Sequence, residues 1–325
     1  MSTYDPSDFT ASTKLYDPEP IELQPKFMVG LTTGVEGNCL FLSDDVVVYP
    51  VSGVIVIYDT KNRSQKFIQF TEQPAKTTIT AMDLNPINLV LAVATTSTED
   101  GIKPTVSFYD LTTLELKHTF TEPEDEYPGS TERRQRFASV QFLNDNAYIT
   151  ALAVSDSDCV LYYYNWKNSN LDTCVRVNNP VADVAINPID TTICCFVGKD
   201  LFRSMTRTDT GWNQYGFREA AGVDFTCVCW LCGDRCLSGT SNGWVVLMKN
   251  GQLQAVYCLD DLNWELDVTV KMTIDESLGT IVISKNKPPP DAIRICVAFQ
   301  SGFVLVVGNS TIYYFQKLDE DDRPR

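Results

Sequence analysis

The run Ile79-Thr-Ala-Met-Asp-Leu-Asn85-Pro86, Leu89-Val-Leu-Ala-Val-Ala94, Thr105-Val-Ser-Phe-Tyr-Asp110 and Leu114-Glu-Leu-Lys-His-Thr-Phe120 reads as four short strands joined by turns. Each piece is rich in β-branched or aromatic residues, alternating or wholly apolar, and bounded by Asn, Pro or Asp. That is how strands, not helices, are written. The same order returns three times downstream, beginning at Ala138-Ser-Val-Gln-Phe-Leu143, at Val181-Ala-Asp-Val-Ala-Ile-Asn187-Pro188 and at Thr226-Cys-Val-Cys-Trp-Leu231. With the turn after the first strand as a marker, Asn85, Asn144, Asn187 and Cys232 follow one another at 59, 43 and 45 residues. The last two intervals match the roughly 40 to 45 residues of a propeller blade, a sheet that cannot bury its own faces and so packs radially beside its neighbours.

The longer first interval holds one insertion, 121–134, where Glu122, Glu124, Asp125 and Glu126 stand among prolines and precede Arg133, Arg134 and Arg136. It is expected to be an exposed loop. A fifth unit lies upstream (Asn38-Cys-Leu-Phe-Leu42, Val46-Val-Val-Tyr49, Val54-Ile-Val-Ile-Tyr-Asp59, Gln65-Lys-Phe-Ile-Gln-Phe70). A sixth closes the chain (Ile293-Arg-Ile-Cys-Val-Ala298, Phe303-Val-Leu-Val-Val307, Thr311-Ile-Tyr-Tyr-Phe315). Between them, 261–290 carries a hairpin pattern that is either half a blade or an inserted flap. Helical periodicity is absent, which removes βαβ architectures. The expected fold is all-β: a WD40-like β-propeller over 26–318 with six or seven blades, incomplete at its carboxyl end. An extended tail is expected at 1–25 and an acidic tail at 319–325. An open propeller needs a missing blade or a neighbour to cover its edge strands.

With 325 residues, 44% hydrophobic and 21% charged, the chain has the composition of an ordered globular protein. Its formal net charge of -16 argues against nucleic acid, because phosphate-backbone binding needs Lys and Arg to displace counterions. No signal-like apolar core opens the sequence, and no run of ~18 apolar residues could span a bilayer. The reading is a soluble intracellular protein without a membrane partner, in which eleven cysteines serve as reduced, small apolar groups.

Sites of chemistry are scarce. The single histidine, His118, sits in an outer-strand position and supports neither a His-rich zinc site nor a Ser-His-Asp triad. Cys227, Cys229, Cys232 and Cys236 fall within ten residues and are weak metal candidates, since paired Cys-x-x-Cys knuckles are missing and core packing explains them better. Phosphate-cradling and nucleophile-elbow motifs are absent. The acidic clusters at 122–126 and 319–322 read as solvated stretches, not as calcium ligands or acid/base pairs. An enzyme is therefore not expected, nor any cofactor. Asp59 and Asp110 end the third strands after Tyr58 and Tyr109, where WD40 blades carry their dipeptide, and signal a structural turn. The stripe Val160, Tyr162, Tyr164, Trp166 has period two. Blade packing is its default reading, with a partner-facing patch at Tyr162, Tyr164 and Trp166 as the alternative.

Beyond these patterns, Lys26-Phe-Met-Val-Gly30, Thr33-Gly-Val35, Asn38-Cys-Leu-Phe-Leu42 and Val46-Val-Val-Tyr-Pro50 resemble the first blade of the WD-repeat cilia- and flagella-associated proteins. Ala182-Asp-Val-Ala-Ile-Asn-Pro188, Ala298-Phe-Gln-Ser-Gly-Phe303 and Thr311-Ile-Tyr-Tyr-Phe-Gln-Lys317 are similar to later blades. The resemblance implies a non-enzymatic scaffold of the motile-cilium axoneme, associated with inner dynein arms and their regulatory complexes on doublet microtubules. Family members continue into a second propeller and a long coiled coil, so a sequence that stops at Arg325 reads either as an amino-terminal portion or as a short relative. Tubulin's surface is acidic, so an acidic chain is expected to reach the doublet mainly through other axonemal proteins, with Arg133, Arg134 and Arg136 as a local basic contact. The competing reading is a general cytosolic WD40 scaffold unrelated to cilia.

Overall fold

Val90, Leu91, Ala92, Val93 and Ala94 are all 0% exposed, and the pattern of their neighbours explains why a strand here is apolar on both faces. Leu91 and Val93 join one hydrophobic cluster, whereas Val90, Ala92 and Ala94 join another on the opposite side. A strand between two packed sheets has no solvated face on which to carry polar groups. The computed structural model describes residues 26–69, 77–97, 102–123, 136–216, 220–259, 291–299, 302–308 and 311–316. The expected tails, most of the acidic insertion with Arg133 and Arg134, and the 261–290 hairpin lie outside them.

Six sheets follow in chain order, each an antiparallel meander. Blade 1 is β1 (Leu40–Ser43), β2 (Val46–Val51), β3 (Val54–Asp59) and β4 (Ser64–Gln69). Blade 2 is β5 (Thr77–Asn85), β6 (Val90–Ser97), β7 (Thr105–Asp110) and β8 (Leu116–Thr121). Blade 3 is β9 (Arg136–Phe142), β10 (Tyr148–Val154), β11 (Cys159–Asn165) and β12 (Asn170–Val177). Blade 4 is β13 (Asp183–Ile186), β14 (Ile193–Gly198), β15 (Leu201–Thr208) and β16 (Gly211–Gly216). Blade 5 is β17 (Phe225–Cys232), β18 (Arg235–Thr240), β19 (Trp244–Lys249) and β20 (Gln252–Cys258). Blade 6 has three strands among the described residues, β21 (Ile293–Phe299), β22 (Gly302–Val307) and β23 (Thr311–Gln316). The fold is thus a six-bladed β-propeller.

Among the described residues the core is not one body but five seams, one between each pair of successive blades. The turns joining third to fourth strands follow the chemistry expected of the terminal aspartates. Asp59 Oδ1 accepts the Asn62 N–H at 2.8 Å and Asp110 Oδ1 the Thr112 N–H at 2.7 Å. Asn165 does the same in blade 3, accepting from the Asn168 N–H at 3.0 Å. The fourth strand of blade 2 begins at Leu116, two residues later than the sequence pattern puts it. Leu114 is taken up in that turn with a φ of 64°, which no strand accommodates.

Candidate functional site: the central channel and its blade seams

The inner strand of each blade presents one unpaired edge to the middle of the ring, so its backbone groups need partners from outside the sheet. Two carboxylates supply them. Asp83 on β5 accepts the Phe142 N–H of β9 at 2.6 Å. Asp183 on β13 accepts the Val228 N–H of β17 at 2.9 Å and its neighbour Val184 N–H at 2.8 Å. Burial pushes the Asp83 carboxyl up to about 6 and that of Asp183 up to about 7, although the N–H donors oppose the shift in both. These groups line a central cavity of about 460 Å3, bounded by inner-strand residues of all six blades, with Glu36 and Arg294 as the other charged members.

A second ring of contacts lies at the first hairpin turns, where Asn85, Asn144 and Asn187 fall. Asn85 Nδ2 donates to Asn146 Oδ1 at 3.2 Å, Asn144 Nδ2 to the Pro188 carbonyl at 2.7 Å, and Asn187 Nδ2 to the Gly233 carbonyl at 2.7 Å. Each bond reaches from one blade to the next. Asn187 also accepts the Ile189 and Asp190 N–H groups at 2.9 and 3.1 Å, which shapes its own turn. Cys232, at the same place in blade 5, instead turns back to Asp234 Oδ1 of its own hairpin at 3.1 Å. Blades 1 and 2 are joined through backbone, with Glu36 N–H donating to Thr80 O at 3.0 Å and Met82 N–H to Glu36 O at 2.8 Å. Gly37 follows with a φ of 68°, and a Cβ there would collide with the Met82 carbonyl, so only glycine permits this approach.

The residues singled out from the sequence fall in different places. Tyr162, Tyr164 and Trp166 are 1%, 5% and 6% exposed and pack in the seam between blades 2 and 3. The partner-facing alternative is corrected: the stripe faces the neighbouring blade, whose Phe120 lies 4.6 Å from Tyr164 and 5.6 Å from Tyr162 between ring centres, while Phe142 of its own blade lies 5.7 Å from Trp166. Arg136 stands exposed at the start of β9. His118 is half-buried, stacked on Phe108 at 4.3 Å, and desolvation, with the nearby Lys117 charge, holds its pKa below the usual value.

The four clustered cysteines do not converge on a metal. Cys227 and Cys229 face blade 6, Cys236 faces blade 4 and meets Cys195, and Cys232 stays at the rim. The cause is strand alternation: in the β17–β18 ladder Cys229 pairs with Leu237, which leaves Cys236 on the opposite face. Among the described residues no group of three or more His, Cys, Asp or Glu is arranged to hold a metal ion. What sequence reasoning missed is Asp83, Asp183 and Cys296, whose partners sit a whole blade or more away.

Blade 6 offers a different kind of surface. Ile295, Val297, Ile312 and Tyr314 are 50%, 53%, 69% and 59% exposed. The ladder places them on one face, since Ile295 and Ile312 both pair with Val306, and Val297 and Tyr314 both pair with Val304. The opposite face, with Cys296, Leu305 and Val307, packs on blade 5.

No family model matches the chain. It is 23% identical to cilia- and flagella-associated protein 57 of Mus musculus over 92% of its own length and 25% of that protein. It is 22% identical to cilia- and flagella-associated protein 57 C of Tetrahymena thermophila over 55% of its length and 14% of that protein. The chain therefore spans about a quarter or less of the curated relatives it matches. Among solved structures it superposes on U3-55K with a TM-score of 0.59 at 11% identity, covering 90% of this chain and 79% of that one. The WD40 repeats of RRP9 give the same TM-score at 10% identity over 90% and 78% of the two chains. The fold is that of the WD40 propellers, and the resemblance seen in the sequence holds: the chain is similar, over nearly all its length, to cilia- and flagella-associated protein 57.

Proposed function

We propose that the protein is a non-enzymatic scaffold of the motile-cilium axoneme, bound near inner dynein arms and their regulatory complexes on doublet microtubules. The observation that carries this reading is the similarity to a cilia- and flagella-associated protein across 92% of the chain, loops included. The inner-dynein-arm assignment rests on the sequence resemblance alone. The fold supports a binding role, because a ring of sheets presents broad rigid surfaces and blade 6 exposes an apolar face of the kind that marks protein contacts. With a net charge of -16, the chain meets the acidic doublet through neighbouring axonemal proteins, and exposed Arg136, together with Arg133 and Arg134, supplies the local basic contact.

The test is to express the tagged chain in a ciliated cell and extract its axonemes. Retention on the axoneme, with dynein-arm or regulatory subunits recovered beside it after crosslinking, is the expected result. A diffuse cytosolic signal absent from isolated axonemes would overturn the reading. Tight co-sedimentation of the purified protein with bare microtubules at physiological salt would overturn the indirect mode of attachment.

A further inference from the structure

Most seams of the ring are joined through amides and carboxylates, but the one between blades 5 and 6 gathers sulfur. Cys227 and Cys229 lie two apart on β17 and so point the same way, toward β21, where Cys296 is in hydrogen-bonding contact with both thiols. Cys227 Sγ also lies 3.9 Å from the Ile293 carbonyl, and Cys296 Sγ 3.7 Å from that of Leu237. Gly239, facing Cys227 across the ladder, leaves the space for this meeting: a Cβ there would stand 2.8 Å from Cys227 Sγ.

Access and acidity distinguish this cluster from the other thiols. Cys227, Cys229 and Cys296 all line the central cavity of about 460 Å3, which admits a water-sized reagent. Cys195 and Cys236, which touch across blades 4 and 5, lie inside an apolar cluster away from the cavity wall. The Cys227 thiol is held below its usual range, first by its hydrogen bond with Cys296 and further by Thr226 and the Gly239 N–H, against the opposing effect of burial. Cys296 is pushed up by the same thiol contacts. Cys227 is also the thiol that receives a hydroxyl donor, Thr226 Oγ1 at 3.9 Å, which favours its thiolate and makes it the attacking sulfur of the pair.

We propose that Cys227 and Cys296 are a redox-active pair, which small peroxides convert into a disulfide that links blade 5 to blade 6. The Cys227 thiolate attacks one peroxide oxygen, the O–O bond breaks, and hydroxide leaves to become water on taking a proton. Cys227 is then a sulfenic acid. The Cys296 thiol attacks that sulfur, the S–S bond forms, and the sulfenic oxygen departs as a second water carrying the thiol proton. Two thiols are oxidised and one peroxide is reduced to two waters. The bond ties β17 to β21 directly, at a seam that has no carboxylate or asparagine bridge among the described residues. This inference stands apart from the ciliary reading.

The experiment is to treat the purified full chain with a small excess of hydrogen peroxide, alkylate the remaining thiols after denaturation, and map the peptides by mass spectrometry. The expected result is loss of the alkylated Cys227 and Cys296 peptides and recovery of one linked peptide, reversed by dithiothreitol. Oxidised glutathione, far larger than peroxide, is expected to modify exposed Cys39 and leave the buried pair untouched. In Cys296→Ser, Cys227 is expected to accumulate a dimedone adduct of the sulfenic acid. The proposal is overturned if Cys227 and Cys296 stay alkylatable while Cys39 oxidises, if Cys296 links to Cys229 instead, or if sulfinic acid forms in place of the disulfide. Should Cys296→Ser fail to fold, the wild-type peptide map decides alone.

Discussion

The seam between blades 4 and 5 and the seam between blades 5 and 6 join the same blade to its two neighbours by different means. On one side stand the Asp183 carboxylate, the Asn187 amide and Trp230, whose Nε1 donates to the Ala185 carbonyl at 3.1 Å. On the other side the direct bonds come from a hydroxyl and two thiols: Thr226 Oγ1 donates to the Ile293 carbonyl, and Cys227 and Cys296 make the long contacts typical of sulfur. A neutral amide or a charged group holds its partner at a fixed distance and strongly resists losing it. Thiol contacts are weak, so the second seam depends on shape: Ile293 and Cys227 fill the hollow left by Gly239. Specific polar bonds locate one blade edge, and close packing locates the other.

The largest effect is expected where shape alone decides. In Gly239→Val the new Cβ would meet Ile293 Cγ2 at 2.5 Å and Cys227 Sγ at 2.8 Å, both on packed strands that cannot swing away. A loss of about 3 kcal/mol in urea denaturation is expected, with Gly53→Ala, where a Cβ meets nothing, close to neutral. An unchanged midpoint for Gly239→Val would mean that the seam is looser than its packing implies.

The polar seam is best probed by pH. Asp183 has a folded-state pKa of about 7 against an ordinary value of 3.8, so its contribution is fully present below about pH 4 and is lost as pH rises through about 7. Asp183→Asn removes that dependence while keeping an acceptor for one N–H. The variant is expected to be more stable than wild type by about 2 kcal/mol at about pH 8 and equal or weaker at about pH 5. Parallel stability curves for the two proteins across this range would rule out a buried, easily protonated carboxyl. Asn187→Ala tests the amide at the rim. The side chain is 0% exposed, and its loss leaves the Gly233 carbonyl and two turn N–H groups without their partner. About 2 kcal/mol is expected, against less than about 0.5 kcal/mol for Cys232→Ala at the corresponding turn.

The repeat period made more of these contacts legible than the motifs did. The inter-blade asparagine bonds span 61, 44 and 46 residues and the carboxylate bonds 59 and 45, close to the repeat intervals of 59, 43 and 45 read from the sequence. A side chain on one inner strand meets its neighbour one blade on, so the repeat length alone fixes how far apart along the chain two partners stand. Strand alternation likewise put Cys227 and Cys229 on one face. It could not say which face is covered, because both faces of an interior blade are. For that reason the sequence pattern of Tyr162, Tyr164 and Trp166 fits packing and a partner patch equally, and only the position of blade 2 against them decides. Cys296 was hidden for a different reason: it follows a stretch in which the repeat register is lost, so the period gives no count from blade 5 to blade 6.

Trp230→Phe is the smallest change and separates the two ways of holding blade 5. The substitution keeps an aromatic ring in a partly buried place but trims the indole and removes its N–H. The acceptor it abandons, the Ala185 carbonyl, belongs to a residue that lines the central cavity, where water can replace the lost donor. The cost is therefore expected to be no more than about 1 kcal/mol, smaller than that of Asn187→Ala, whose side chain is sealed from solvent. Measured in one denaturation series, the order Asn187→Ala above Trp230→Phe means that the seam derives its polar stability from groups that water cannot reach. The reverse order would place the main hold of blade 4 on blade 5 in the ring packing of Trp230, and the polar seam would then resemble the sulfur seam more than its bonds suggest.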